Sequence, residues 1–408
     1  VTGTLPPAEW TQRSGLAELI AALDGRARFV GGAVRDTLLG LAVKDIDIAT
    51  PLLPEDVMER LAAVSIKTVP TGIAHGTITA VLPDGPVEIT TLRRDVSTDG
   101  RRATVAFSDD WKEDAARRDF TINALSADPR TLEVFDYFGG RDDLENLHIR
   151  FIGSAGERIA EDHLRIMRYF RFLARFGQQQ VDEEAFAACT AAAAKLETLS
   201  RERVADELLK LLATEDPRFA IGQMLDAGIF RHIVDNLDGD AGKNINRLVE
   251  REQQHQVPPM AIRRLVALLP KQADEAGAIA KSLKLSRKQQ RAIDERLLGV
   301  QESRGAGSAA SLADIRGFAY RTNVECARDA ALLFATDSAL PELLDALEGW
   351  QPPVFPLTGG DLIERGLKPG PVVAKSLAKI ESAWIAHGFP DAEWIRQFIT
   401  EQDLTRLP

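Results

Sequence analysis

Cysteine is almost missing from this 408-residue chain, with Cys189 and Cys326 the only two. A disulfide framework and a cysteine-based zinc site are thereby excluded, and the compartment expected is the reducing cytoplasm. Long apolar runs are absent too, so no membrane span is expected. Val1 to Trp10 has neither the basic flank nor the apolar stretch of a signal peptide. The six histidines are scattered and build no His–Asp metal cluster. No internal repeat stands out, and Ala191–Ala194 is merely alanine-rich. Positive charge is in deficit: 50 Lys and Arg against 61 Asp and Glu leave a net charge of −11. That sum argues against a nonspecific nucleic-acid binder.

What is present is a globular composition, 45% hydrophobic and 27% charged, enough for buried cores. The length implies roughly two to four domains. The first 150 residues mix short strands and helices. Arg28–Val30, Asp45–Ala49, Thr77–Leu82 and Pro86–Leu92 read as strands, with Pro83-Asp84-Gly85-Pro86 turning the last two into a hairpin. Ile122–Ala127 and Glu133–Phe135 read as further short strands, Val34–Leu39 and Glu55–Ala63 as helices. From about Gly156 the pattern becomes helical, through Glu183–Leu199, Arg201–Leu212, Arg218–Ala227, Ala261–Leu269 and Lys288–Val300. Breaks fall at Asp235–Asn244, Ser303–Ser311 and Pro352–Gly360. The fold class expected is α+β: a head with a small mixed sheet over 1–150, then all-helical segments at 151–215, 216–304 and 305–408. Basic residues cluster twice despite the net charge. Arg158, Arg165, Arg168, Arg171 and Arg175 form a stripe at helical spacing. Lys281, Lys284, Arg287, Lys288 and Arg291 form a local patch, which is also what a solvated helix face looks like.

The chemistry concentrates in three places. Gly31-Gly32-Ala33-Val34-Arg35-Asp36 opens a helix, and Asp45-Ile46-Asp47 follows on a strand. Residues i and i+2 of a strand share a face, so Asp45 and Asp47 can hold a divalent cation while Ile46 enters the core. Paired carboxylates suit Mg²⁺, which binds one or two acids plus substrate phosphates. Gly31 and Gly32 let backbone N–H groups approach a phosphate, and Arg35 is placed to pair with a triphosphate while Asp36 braces the loop. Glu88 on the next strand is a third candidate carboxylate, or else an edge-strand acid facing water. The second place is Arg117-Arg118-Asp119-Phe120-Thr121-Ile122-Asn123. Guanidinium suits phosphate, and carboxylate or amide suits ribose hydroxyls. Arg117 and Arg118 are the phosphate candidates and Asp119 the 2′-OH candidate, supported by Asn123. A structural ion pair is the alternative. The third is Glu161-Asp162-His163-Leu164-Arg165, continued by Arg168 and Arg171. On a helix, Asp162 and Arg165 are i and i+3 neighbours. An acceptor beside a donor matches cytosine and adenine, which both show an exocyclic amine next to a ring-nitrogen acceptor. Uracil and guanine would leave groups unpaired, at about 1–3 kcal/mol each. An intrahelical salt bridge is the alternative. His163 carries little weight.

On these motifs the chain resembles the bacterial tRNA nucleotidyltransferases, the class II CCA-adding enzymes, and their relatives the bacterial poly(A) polymerases. The resemblance runs through Phe29–Leu41, Asp45–Ala49, Val87–Arg93, Arg117–Leu125, Asp136–Leu144, Glu161–Arg171 and Ser200–Lys210. It implies a polymerase-β-like head followed by helical neck, body and tail, and addition of C, C and A from CTP and ATP to a tRNA 3′ acceptor end. It implies Mg²⁺, as a two-metal site on Asp45 and Asp47. It further implies triphosphate contacts at Gly32 and Arg35 and a nucleotide contact at Arg118. Asp119 becomes the ribose reader, and Asp162 with Arg165 the base template. Arg168 and Arg171 become further nucleotide-facing arginines, and Ser200-Arg201-Glu202-Arg203 a brace for their helix. Phe355-Pro356-Leu357-Thr358-Gly359-Gly360-Asp361 and Gly366-Leu367-Lys368-Pro369-Gly370 look like the family tail, as an RNA-phosphate contact or a plain helix-turn-helix scaffold. No phosphohydrolase extension is seen, and no protein partner or membrane is implied. The long basic insertion that marks poly(A) polymerases is lacking after the Glu88 strand. Asp95–Asp110 looks instead like the loop associated with switching from C to A, which favours full CCA addition over a CC-only, A-only or poly(A) product.

Overall fold

The computed structural model describes residues 3–99, 102–177, 179–305 and 312–401. The chain divides into two compact units, Val1–Ile233 and Val234–Pro408.

The first unit is built on a seven-stranded sheet of order β3-β4-β5-β2-β1-β8-β9. Its strands are β1 (Arg28–Val30), β2 (Ile46–Thr50), β3 (Lys67–Gly72), β4 (Thr77–Leu82), β5 (Gly85–Thr91), β8 (Ser126–Ala127) and β9 (Val134–Phe135). Only β2 and β5 run parallel; every other pairing is antiparallel, so the sheet is mixed. Alternation decides its faces. Ile46, Ile48, Val87 and Ile89 are buried, while Asp47 and Glu88 point the other way. The remaining strands, β6 (Arg93–Asp99) and β7 (Arg102–Phe107), pair as a separate hairpin. The stretch Asp95–Asp110, expected as a loop, therefore has paired backbone; residues 100 and 101 lie outside the described residues. The helices are α1 (Leu16–Ala22), α2 (Gly32–Leu38), α3 (Pro54–Ala63), α4 (Trp111–Ala116) and α5 (Gly140–Glu145), then α6 (Ala155–Glu161), α7 (Arg165–Phe176), α8 (Glu183–Ala192), α9 (Arg201–Leu212) and α10 (Arg218–Asp226).

Two sequence expectations are corrected here. Ile122–Ala127 is not one strand: Thr121–Asn123 forms a 3-10 turn and only Ser126–Ala127 pairs. Tertiary partners override the β-branched composition. The Thr121 hydroxyl donates to Asp143 at 2.5 Å, and Asn123 donates to Asp119 at 2.9 Å. Gly140 makes this possible, because a Cβ there would sit 2.2 Å from the Thr121 carbonyl oxygen. Second, Asp162 and Arg165 do not ride on one helix. α6 ends at Glu161, Asp162 is its C-cap in extended conformation (φ −147°, ψ 106°), and α7 begins at Arg165. Their side chains flank a break between helices.

α7 is strongly amphipathic. Ile166, Met167, Tyr169, Phe170, Leu173 and Phe176 are buried, and Arg165, Arg168, Arg171 and Arg175 line the polar side. α9 starts at a Ser200 cap, whose side chain accepts from the Arg203 N–H, and packs along α7, with Val204, Leu208 and Leu211 buried.

The second unit is helical among its described residues: α11 (Ala241–Gln254), α12 (Ala261–Leu268), α13 (Ala273–Ser282), α14 (Arg287–Gly305), α15 (Leu312–Arg321), α16 (Val324–Phe334), α17 (Leu340–Leu347), α18 (Gly359–Glu364), α19 (Pro371–Ala386) and α20 (Ala392–Glu401). Residues 306–311, within the expected break Ser303–Ser311, lie outside the described residues. Its centre holds buried ion pairs. Glu252 accepts from both Arg263 (2.6 Å) and Arg264 (2.7 Å), and Asp329 from Arg263 and Arg296 (both 2.6 Å). Thr358 and Asp361 form a capping box at α18, and Leu357, Leu362, Leu367 and Val373 join one core with Trp384. The segments Phe355–Asp361 and Gly366–Gly370 are thus part of a packed helix-turn-helix scaffold.

Candidate active site

A cavity of about 450 Å³ opens in the first unit, bordered by Gly31 and Gly32, Asp47, Arg117 to Asp119, and the α6–α7 break. A second, of about 360 Å³, lies beside it and is bordered by Asp47, Glu88, Thr90, Arg93 and Asp114. Asp47, Arg117 and Arg118 line both.

The acidic wall is set by strand register. Asp47 stands directly opposite Glu88 across the parallel β2–β5 pair, and Glu88 belongs to an interior strand of the sheet, flanked by β2 and β4. Asp45 lies immediately before β2 and is exposed. Burial pushes the Asp47 carboxyl up, and the charges of Glu88 and then Asp45 push it further, against the opposing pull of Arg118. The cluster carries excess negative charge, a condition that favours a bound cation. Among the described residues no three His, Cys, Asp or Glu side chains converge into a complete metal cage. Two strand carboxylates completed by phosphate oxygens and water are nevertheless the usual donor set for Mg²⁺, so the residues fit that ion.

The glycine motif shapes the next wall. Gly31 sits at φ +65°, and a Cβ there would lie 2.8 Å from the Arg118 Nη1. Both the backbone conformation and the close approach of Arg118 need glycine. Arg118 is held loosely, by the Asn123 carbonyl oxygen at 3.4 Å and Asp114 at 3.8 Å. Arg35 is different. It is buried, donates to Asp36 at 2.8 Å and to Asn123 Oδ1 at 2.5 Å, and lies over the Phe176 ring at 4.7 Å. Burial lowers its pKa, with Asp36 opposing. Asp36 also accepts from Arg175 at 3.0 Å, tying α2 to α7.

Asp119 is the most completely bonded acid of the site. It accepts from the Phe120 N–H (2.9 Å), Asn123 Nδ2 (2.9 Å), Arg168 Nε (2.7 Å) and Arg168 Nη2 (2.5 Å). Burial pushes its carboxyl up, but Arg168 and the hydrogen bonds outweigh that and hold it below the usual carboxylate range. Arg168 lines the first cavity. Arg171 does not border it; its Nε donates to buried Glu207 at 2.6 Å.

At the far end stand Asp162 and Arg165, both lining the first cavity and not paired to each other. Asp162 Oδ1 accepts from the Leu164 N–H at 3.0 Å, and Oδ2 from Arg203 at 2.8 Å. Arg165 donates to Glu161, to the Arg158 carbonyl oxygen at 2.8 Å and to the Arg117 carbonyl oxygen at 3.2 Å. The intrahelical salt bridge is thus not formed. Glu207 was missed by sequence reasoning. Its signal was an acid on the inward side of α9, four residues after Arg203, where α9 meets the arginines of α7.

Comparison with known proteins now fits this geometry. A family model for the poly(A) polymerase head domain matches residues 27–150, and one described as the probable RNA and SrmB-binding site of polymerase A matches residues 180–240. The class is therefore a nucleotidyltransferase enzyme with a polymerase-type head. The mitochondrial CCA tRNA nucleotidyltransferase 1 of Danio rerio is 34% identical over 91% of this chain and 86% of its own length. The CCA-adding enzyme of Streptococcus sanguinis is 32% identical over 97% of this chain and 98% of its own. The solved Bacillus stearothermophilus CCA-adding enzyme in complex with CTP matches with a TM-score of 0.74 at 26% identity, over 94% of this chain and 96% of that one. The chain belongs to the CCA-adding tRNA nucleotidyltransferase family.

Proposed function

We propose that this enzyme adds C, C and A to the 3′ end of tRNA, taking CTP and ATP as donors and releasing pyrophosphate. The terminal 3′-hydroxyl oxygen attacks the α-phosphorus, its proton passes to solvent, and the bond from that phosphorus to the bridging oxygen of the β-phosphate breaks, releasing pyrophosphate. The observation that carries the reading is Asp47 standing as a shared wall of two cavities, one able to take a nucleotide and the other a second reactant.

In this reading the triphosphate lies toward Gly31 and Gly32, with Arg118 as its mobile cation and Arg35 as a fixed one. Asp119 reads the ribose, oriented by Asn123 and Arg168. Asp162 accepts from the exocyclic amine of C or A, and Arg165 donates to the adjacent ring nitrogen. Uracil and guanine set a carbonyl against the carboxylate and are rejected at about 1–3 kcal/mol per unpaired group. Asp45 and Asp47 would hold Mg²⁺, with Glu88 as a third carboxylate. Bound there, the ion would neutralise charge at the phosphates and lower the pKa of the attacking hydroxyl. The chain itself contributes positioning and a preorganised field. Cys189 and Cys326, both buried and unpaired, suit a reducing compartment, and we assign the cytoplasm. Among the described residues no helix is long and apolar enough to cross a membrane. The domain scheme we favour keeps the head at 1–150, a neck with the base reader at 151–215, a body at 216–304 and an RNA-binding tail at 305–408.

The poly(A) polymerase reading rests on the family model that matches the head. One assay separates the two. Labelled CTP, ATP, UTP and GTP are offered with tRNA lacking CCA, CC-ended tRNA and unstructured RNA. Three added nucleotides on tRNA support the proposal. An A tract on any RNA, or no CTP incorporation, refutes it.

A further inference from the structure

The two base-reading side chains are held by different parts of the fold, and one holder has no role assigned beyond bracing a helix. Arg165 is fixed by neighbours from α6 and the Arg117 carbonyl oxygen. Asp162 is the extended residue between α6 and α7, and its carbonyl oxygen accepts from the Arg165 N–H at 3.0 Å. One carboxylate oxygen takes the Leu164 N–H, and the other takes the Arg203 guanidinium at 2.8 Å. Arg203 reaches it from the first turn of α9, where the Ser200 cap fixes its backbone. Both side chains border the nucleotide-sized cavity.

We propose that Arg203 is a specificity-determining positioning residue: it sets the plane of the Asp162 carboxylate, and discrimination between bases depends on that plane. The inference rests on the reading of Asp162 as the acceptor for a base amine. A carboxylate distinguishes an amine from a carbonyl only while its lone pairs are aimed at the base. With one oxygen anchored and the other free, the group turns about its terminal torsion, which is broad for Asp. Water can then bridge the carboxylate to a carbonyl and erase the penalty on the wrong base. The exposure of the pair separates this role from a stabilising one. The side chains of Arg203 and Asp162 are 46% and 37% exposed, and such pairs contribute little to folding.

The test is Arg203→Met, Arg203→Lys and Asp162→Asn in the full chain, assayed with all four nucleotides on tRNA lacking CCA, beside thermal melts. Arg203→Met should lower the preference for CTP over UTP, in kcat/KM, about 10-fold, and raise KM for CTP more than it lowers kcat. Arg203→Lys should recover part of the preference, and the melting temperature should stay within about 2 °C of the parent. Preference retained within twofold in Arg203→Met, while Asp162→Asn relaxes it, overturns the role of Arg203 alone. Unchanged preference in Asp162→Asn overturns the reading of Asp162 and this inference with it. A large loss of melting temperature, with activity falling equally for every nucleotide, shows a structural role and also overturns it.

Discussion

Replacing Arg168 with Met tests how the ribose end of the site is held. Asp119 is 7% exposed and accepts four hydrogen bonds, two of them from Arg168, its one cationic partner among those bonds. The variant leaves a buried carboxylate with the Phe120 N–H and the Asn123 amide only. Breaking a buried ion pair on one side costs about 3–5 kcal/mol. Arg168 is 34% exposed, so solvent screens part of the loss and the lower value, about 3 kcal/mol, is the expectation. For a unit of 233 residues this corresponds to a fall of roughly 6–12 °C in its melting temperature. Glu207 keeps Arg171 at 2.6 Å, so the second acid of the network is not orphaned. In an Asp119→Asn background the same replacement should cost under about 1 kcal/mol, because no buried charge remains to be left alone. The pH dependence has a definite sign. A depressed carboxyl contributes its full stabilisation above its unfolded value, about 3.9, and loses it as pH falls through the folded value. The gap between parent and Arg168→Met should therefore close as pH falls, starting where the unpaired Asp119 of the variant takes up a proton and ending below the depressed folded value of the parent. Melts across pH 3 to 8 check this. A change under about 2 °C at pH 7, or an equal cost with and without the Asp119 charge, refutes the account.

Asp45→Ala and Asp47→Ala should each abolish nucleotide incorporation while tRNA affinity, read by filter binding, stays within a few-fold; normal turnover in either variant with Mg²⁺ would remove the metal assignment. Gly31→Ala places a side chain at φ +65°, ψ −125° and against the Arg118 Nη1, so about 1–3 kcal/mol of backbone strain should accompany a raised KM for CTP and ATP alike. An unchanged KM would show that Arg118 does not serve the triphosphate. Arg165→Met should raise misincorporation of UTP and GTP more than it lowers the melting temperature, measured as four-nucleotide kcat/KM ratios; continued exclusion of both wrong bases would end the template idea.

Much of this protein was legible along the chain because its chemistry is local. Ile46 and Asp47 follow strand alternation, and the Gly31-Gly32 pair at the start of α2 marks a close backbone approach. The hairpin of β4 and β5 was signalled by Pro83 to Pro86, and the helices after Gly156 by their apolar period. Other parts were decided by contacts between segments distant in sequence. Thr121 to Asn123 curl into a turn because Asp143 and Asp119 claim their polar groups, whatever their β propensity. Arg171, read as facing nucleotide, turns to Glu207, 36 residues away. Asp162 and Arg165 have helical spacing, yet α6 ends before them at Glu161, α7 starts only at Arg165, and Arg203 takes the acid instead. Patterns of period two and 3.6 prescribe which way a side chain leaves the backbone. Which charged group it finally meets depends on how whole elements pack, and that is information only the folded chain contains.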